Sequence, residues 1–264
     1  MISPRIEKLF CRVAGGLFAA LPRTLPSKEK LEECRIVSHR GEHDNRQILE
    51  NTLAAFDRVR DRGVWGIELD IRWTRDLQPI VFHDASFRRM FDSTSMVNSM
   101  TMAEIRSEYP LVPSLEEVIL RYGKKLHLMV EIKKEAYPDP EFQSQVMSNL
   151  FSQLESQKDF HFLSMAPGMF EFIGFVPPQT FLPIAQTNVH TLSEIAIEKG
   201  FGGITGHYLF ITDRVRTRHQ NMGQKVGTGH INSKNCLFRE INRGVDWVFS
   251  DKAFNMQSII STNT

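Results

Sequence analysis

The 264-residue chain carries 32 Lys and Arg against 31 Asp and Glu, a net charge of +1, with 41% hydrophobic and 24% charged residues. That is ordinary globular composition with enough apolar residues for a large core. With no basic stripe and no zinc-finger spacing, no nucleic-acid partner is expected. Three scattered cysteines, Cys11, Cys34 and Cys236, fit a reducing compartment and argue against a disulfide scaffold or a thiolate metal site.

The chain begins with a basic arm, residues 1–30, holding six Lys or Arg against two Glu. Its apolar run "LFCRVAGGLFAAL" (9–21) is shorter than the roughly 20 residues that span a bilayer, and Arg12 interrupts it as a signal segment. Ile6, Leu9, Phe10, Val13, Leu17 and Leu21 follow helical spacing. Such an arm either lies on an anionic membrane surface through residues 1–21 or packs over one end of the domain. Gly15 and Gly16 weaken a helix there. The expected location is cytoplasmic, with peripheral membrane contact only if the arm takes the first of these two roles.

From residue 31 to 264 apolar runs alternate with amphipathic stretches. Strands are expected at 35–39, 65–72, 79–84, 126–133, 160–165, 180–185, 201–206, 225–231 and 245–250, with helices at 50–62, 114–122, 140–157, 191–199 and 233–243. The alternation implies parallel strands with helical crossovers, and the strand number suggests a TIM-type (β/α)8 barrel with one run outside the ring. "WTRDLQ" between the second and third runs is too short for a crossover helix, so that connection is helix-less. Residues 85–113, polar and weakly periodic, read as a long loop over one barrel end.

Ionisable residues collect where the first four strands stop: His39 with Arg40, then Glu68 and Asp70, then His83 with Asp84, then Glu131 and Lys133. That rim is where closed α/β barrels build active sites. Glu68, Asp70 and Glu131, with no cysteine among them, form a hard oxygen set suited to one divalent cation, Mg²⁺ or Ca²⁺, with Mn²⁺ a further candidate. Arg40 and Lys133 add positive charge for a phosphate, and His39 and His83 can exchange protons across a scissile P–O bond. Each residue alone has a bland structural explanation; the set fits cleavage of a phosphate diester.

The strings "HRG…ENTLAAF" (39–56), "ELDIRWTRDLQPIVFHD" (68–84), "VPSLEEVI" (112–119), "VEIK" (130–133) and "RGVDWVFSD" (243–251) resemble the glycerophosphodiester phosphodiesterase family. The resemblance implies a TIM-type barrel that hydrolyses glycerophosphodiesters to glycerol 3-phosphate and an alcohol with a divalent metal. His39 and His83 match the family's acid/base pair, Glu68, Asp70 and Glu131 its metal ligands, and Arg40 and Lys133 its phosphate contacts. Asn51 matches a polar residue near the site, although capping the next helix would also explain it. Gly229 replaces the family's aromatic in its Trp-Thr-Val-Asn run, Met165 its Phe after Ser164, and Leu49 a proline. Thr-Gly-His occurs twice, at 205–207 and 228–230, which nominates His207 or His230 as a substrate contact. Two alternatives stay open: a lysophospholipase D-type enzyme acting on a lysophospholipid, and a non-catalytic barrel that binds phosphodiesters.

Overall fold

The computed structural model describes residues 13–264. Nine strands form one sheet: β1 (Arg35–His39), β2 (Gly66–Trp73), β3 (Pro79–Val81), β4 (His127–Ile132), β5 (Phe160–Ser164), β6 (Phe181–Ala185), β7 (Gly203–His207), β8 (Lys225–Gly229) and β9 (Trp247–Ser250). Eight of them run parallel and close into a ring, because β1 pairs with β2 on one side and with β9 on the other. The result is a TIM-type barrel. The surplus strand is β3, which turns back antiparallel along the end of β2 with Ile71 opposite Val81. The helix-less connection is therefore a hairpin.

Alternation along each strand separates two environments. Ile67, Leu69 and Ile71 of β2, with Leu128, Val130 and Ile132 of β4, belong to the cluster under the surrounding helices. Val37, Met129, Leu163, Leu182, Trp247 and Phe249 form a second cluster on the opposite strand faces. They fill the barrel interior and make an apolar floor beneath the rim.

Crossover helices occur at Leu53–Asp61, Leu115–Tyr122, Pro140–Phe151, Val189–Glu198, Asp213–Asn221 and Lys234–Arg243, with Ala253–Asn263 closing the barrel after β9. Asp213–Asn221 was not expected, since "DRVRTRHQN" has almost no apolar face; it is anchored by buried His219, which bonds Ser193 and Gln224. Ala253–Asn263 also escaped the pattern. The helix expected at 140–157 stops at Phe151, and β5 reaches β6 through 3₁₀ turns, Pro167–Phe172 and Pro178–Thr180. The segment 85–113, expected as a loop, is instead an ordered subdomain. It folds into helices Arg88–Phe91 and Met102–Glu108 and a 3₁₀ turn, Val97–Ser99. Its Phe87, Val97, Met100, Ile105, Tyr109 and Val112 pack on Ile80 and Phe82 as a separate small core.

Residues 1–12 lie outside the described residues, and with them the N-terminal part of the arm expected to meet a membrane through residues 1–21. Residues 13–20 are helical. Phe18 sits edge-on to Tyr208, 6.0 Å between ring centres, under the Arg239 guanidinium. Asn235 and Asn242 donate to the carbonyls of Ala19 and Thr24, both at 2.8 Å. Val13 and Leu17 face outward, 67% and 62% exposed. Among the described residues no helix is long and apolar enough to cross a membrane.

Candidate active site

Strand register assembles the rim. His39 lies opposite Glu68 in the β1–β2 pairing, and Asp70 opposite Glu131 in the β2–β4 pairing. One oxygen from each of Glu68, Asp70 and Glu131 comes within 4.8 Å of the others. His39, Arg40, Glu68, His83, Glu131 and Lys133 all border one cavity of about 690 Å³ at this end of the barrel. The chain makes a sharp entry here: Arg40, Gly41 and Asn51 have φ of 58°, 83° and 57°, a left-handed conformation that costs energy at Arg40 and Asn51 and recurs at functional sites.

Asp70, fully buried, is the hub. Lys133 Nζ lies 2.5 Å from its Oδ1 and 2.7 Å from Glu131 Oε1, and Arg40 Nε lies 3.2 Å from its Oδ2. Burial alone would raise its pKa, but the Lys133 and Arg40 charges hold it well below the usual carboxylate range. Glu68 behaves oppositely, because burial and the Asp70 charge push it up to about 8. Burial and Asp70 also raise Glu131, against the pull of Lys133. Lys133 and Arg40 therefore do not balance the carboxylates around them. Asp70 Oδ1 makes no well-directed hydrogen bond despite the nearby ammonium. A buried, all-oxygen donor set short of positive charge fits a divalent hard cation.

The two rim histidines have carboxylate partners. His39 Nδ1 lies 2.7 Å from Asp251 Oδ1, so Nδ1 carries the hydrogen and Nε2 turns toward Glu68, 3.9 Å away. Asp251 is itself held by Asn232, whose Nδ2 donates to Oδ2 at 2.8 Å. Burial opposes charge on His39, yet the Asp251 bond and the Glu68 charge outweigh it and raise its pKa. His83 Nδ1 lies 2.6 Å from Asp84 Oδ1. Burial lowers its pKa, and Lys133 and Arg40 add to that against Asp70. Opposite shifts in two imidazoles on one cavity are what separates an acid from a base.

Every residue nominated from the sequence lies in or directly behind this rim. Asn51 is behind it: buried, it donates from Nδ2 to Asp70 Oδ2 at 2.8 Å, while Thr52 caps the helix Leu53–Asp61. His230 stacks on His207 with 4.7 Å between ring centres and approaches His39 at 6.5 Å, so the repeated Thr-Gly-His strings meet at the cavity wall. The Leu209 N–H donates to His207 Nδ1 at 3.2 Å, which leaves Nε2 as the protonated nitrogen. A Cβ at Gly229 would meet nothing closer than Gly206 O at 3.7 Å, so the missing aromatic leaves open space. Sequence reasoning missed Asp251, Glu50 and the partner role of Asp84. Asp251 follows the last strand as His39 ends the first, and that strand-end position was the available signal.

The glycerophosphoryl diester phosphodiesterase family model matches residues 39–253. A glycerophosphodiester phosphodiesterase of Bacillus altitudinis is 30% identical over 238 residues, 82% of this chain and 94% of that protein. One from Caldanaerobacter subterraneus is 34% identical over 110 residues, 37% of this chain, and human glycerophosphodiester phosphodiesterase 1 is 34% identical over 113 residues, 38% of this chain. The chain spans 44% and 33% of the length of these last two. An Oleispira antarctica phosphodiesterase in complex with the product sn-glycerol-3-phosphate shares the fold with a TM-score of 0.73 at 23% identity, over 90% of this chain and 97% of that one. A Thermotoga maritima glycerophosphodiester phosphodiesterase does so with a TM-score of 0.71 at 20% identity, over 86% and 98%. Since the family match runs from the first rim histidine to past the last strand, the chain belongs to the glycerophosphoryl diester phosphodiesterase family.

Proposed function

We propose that the protein hydrolyses glycerophosphodiesters to glycerol 3-phosphate and an alcohol, with Glu68, Asp70 and Glu131 holding one divalent cation, Mg²⁺, Ca²⁺ or Mn²⁺. The observation that carries this reading is a buried carboxylate triad short of positive charge, beside two carboxylate-paired histidines shifted in opposite directions. When bound, the cation supplies Lewis-acid charge at a phosphoryl oxygen. Arg40, held by Glu50 at Nη1 and beside Asp70 at Nε, and Lys133 supply positive charge to the phosphate, and Asn51 fixes the rotamer of Asp70. His39, biased to keep its proton, donates it at Nε2 to the departing alkoxide, while His83, biased to be neutral, accepts one from the attacking oxygen. His230, on the cavity wall, meets the departing alcohol. The test is protein stripped of metal and given a water-soluble glycerophosphodiester. Glycerol 3-phosphate should appear only when cation is restored, and turnover that survives chelation, or survives in His39→Ala, overturns the mechanism.

The cavity also favours a lysophospholipid among the substrates. Beyond the charged rim its wall is Leu163, Met165, Ile184, Phe210 and Phe249, with the gap at Gly229 open beside them. The arm helix is docked by Phe18 on Tyr208, the residue after His207, and leaves Val13 and Leu17 exposed. Arg5, Lys8 and Arg12 precede them in the sequence, which selects an anionic lipid surface as the partner. Leu17→Glu should abolish binding of the full chain to anionic vesicles and slow lysophospholipid cleavage, leaving the water-soluble substrate unaffected. Equal vesicle binding by both proteins, or a change of oligomeric state instead, would refute it.

A further inference from the structure

Arg89 lies in the insertion formed by residues 85–113, on the helix Arg88–Phe91. Its Nε donates to Asp84 Oδ2 at 2.6 Å, while Nη1 and Nη2 donate to Glu50 Oε2 and Oε1 at 3.0 and 2.6 Å. Both carboxylates lead into the rim. The other Asp84 oxygen holds His83 Nδ1, and Glu50 Oε1 also receives Arg40 Nη1 at 3.0 Å. One guanidinium therefore ties the partner of a rim histidine to the partner of a rim arginine.

The surroundings make this clamp rigid. Glu50 is buried and fixed from its other side, since Asn45 donates to Oε2 at 2.7 Å and accepts the Glu50 N–H at 2.8 Å. Phe87 and Phe91 flank the helix and pack on Tyr109 with ring centres 4.0 and 5.0 Å away, seating Arg89 on the insertion's own core. The backbone of His83 has a separate anchor, because Arg72 Nε donates to its carbonyl at 3.0 Å. Loss of Arg89 would thus free the Asp84 side chain without moving the His83 main chain. Glu50 would keep Arg40 and Asn45, so no buried carboxylate would be orphaned.

We propose that Arg89 is a positioning residue for phosphodiester cleavage: it clamps Asp84 onto His83 and Glu50 onto Arg40, so the insertion sets the orientation of the His83 imidazole. The proposal rests on the hydrolase reading given above. The planar fork suits this arrangement, because Nη1 and Nη2 grip both oxygens of Glu50 while Nε reaches Asp84, a three-contact pattern that a point-charge ammonium reproduces only in part.

The test uses full-length, cation-loaded protein with Arg89→Met, Arg89→Lys, Asp84→Asn and the Arg89→Met/Asp84→Asn pair. Arg89→Met should lower kcat by about 10- to 100-fold with KM changed less than about threefold, since orientation rather than binding is lost. Lysine should restore only part of it. The double variant should be no slower than the slower single variant, because both act through the same bond to His83. An Arg89→Met enzyme with kcat unchanged, or a double variant whose losses multiply, overturns the proposal. NMR of the His83 Nδ1–H decides independently of turnover: its hydrogen-bonded signal should be lost in Arg89→Met, and an unaltered signal overturns the clamp. A wild-type protein without hydrolase activity would instead sink the functional reading, with the clamp still judged by that signal.

Discussion

Asp251→Asn tests how the first rim histidine is held. Asp251 accepts hydrogen bonds at both oxygens, from His39 Nδ1 at 2.7 Å and from Asn232 Nδ2 at 2.8 Å. An asparagine offers one acceptor and one donor, so either orientation sets N–H against N–H at His39 or at Asn232. A hydrogen bond to a charged group contributes about 1.5–3 kcal/mol. The His39 and Asp251 side chains are 30% and 39% exposed, so solvent screening puts the effect at the lower end. That corresponds to a loss of about tenfold, growing toward about 10²-fold where the imidazole also changes tautomer. The pH dependence has a definite sign. Asp251 raises the His39 pKa, so its removal should shift the limb requiring protonated His39 to lower pH. For stability, the His39 increment is present at low pH and fades as pH rises through its raised value, while the Asp251 increment fades as pH falls through its depressed one. The difference in Tm from wild type should therefore be largest between the ordinary values of 3.8 and 6.5. The assay is kcat/KM against pH at saturating cation. A variant within about twofold of wild type with an unmoved limb would refute this account of His39.

Lys133→Met leaves Asp70 and Glu131 without the ammonium 2.5 and 2.7 Å away; breaking a buried pair costs about 3–5 kcal/mol, and added Mg²⁺ or Ca²⁺ should raise Tm more in the variant than in wild type, read by thermal unfolding. Without cation, burial and the Asp70 charge push Glu68 up to about 8 against an ordinary 4.5, so the contribution of this group to stability falls as pH rises across that range, while the buried histidines with lowered values, such as His127 and His207, act in the opposite direction. The stability difference between metal-free wild type and Glu68→Gln should therefore change between pH 5 and 8, and a difference that is constant across that interval would contradict it. Gly203→Ala would put a Cβ 1.8 Å from the Lys225 carbonyl oxygen across the β7–β8 pairing. The expected cost is about 3 kcal/mol, or roughly 6–12 °C in Tm, whereas Gly168→Ala, whose Cβ meets nothing within 4 Å, should be neutral.

Strand runs were legible because barrel strands in a (β/α)8 fold are buried on both sides and read as near-continuous apolar segments. Helices were legible only where their own apolar face was wide enough. Leu115–Tyr122 combines such a face with a Ser114/Glu117 capping box, but Asp213–Asn221 is held by buried His219 and has almost no apolar face. The insertion failed for a different reason. Its core is built from Phe87, Val97, Met100, Ile105 and Tyr109, spaced by turns rather than by a single helical period, so no periodicity survives in the sequence.

The site divides along the same physical line. Glu68 with Asp70, and Glu131 with Lys133, were legible because a two-residue spacing places both side chains on one strand face, and the barrel rim supplies the rest. Partners that come from register or tertiary reach were not: Asp251 meets His39 across 212 residues, and Arg89 meets Glu50 across 39. These hidden partners share one property. Asp251, Asp84 and Glu50 are the carboxylates that hold His39, His83 and Arg40, and Asp251 also borders the cavity itself. A protein that needs two imidazoles in opposite protonation states within one cavity cannot obtain that from the imidazoles themselves. Their difference comes from what surrounds each ring. Asp251 and Glu68 add negative charge at His39, while burial with Lys133 and Arg40 removes protons from His83. Residue types at strand ends identify which groups can react; the charges set around each ring, Asp251 and Glu68 at His39, Lys133 and Arg40 at His83, decide which direction each proton moves.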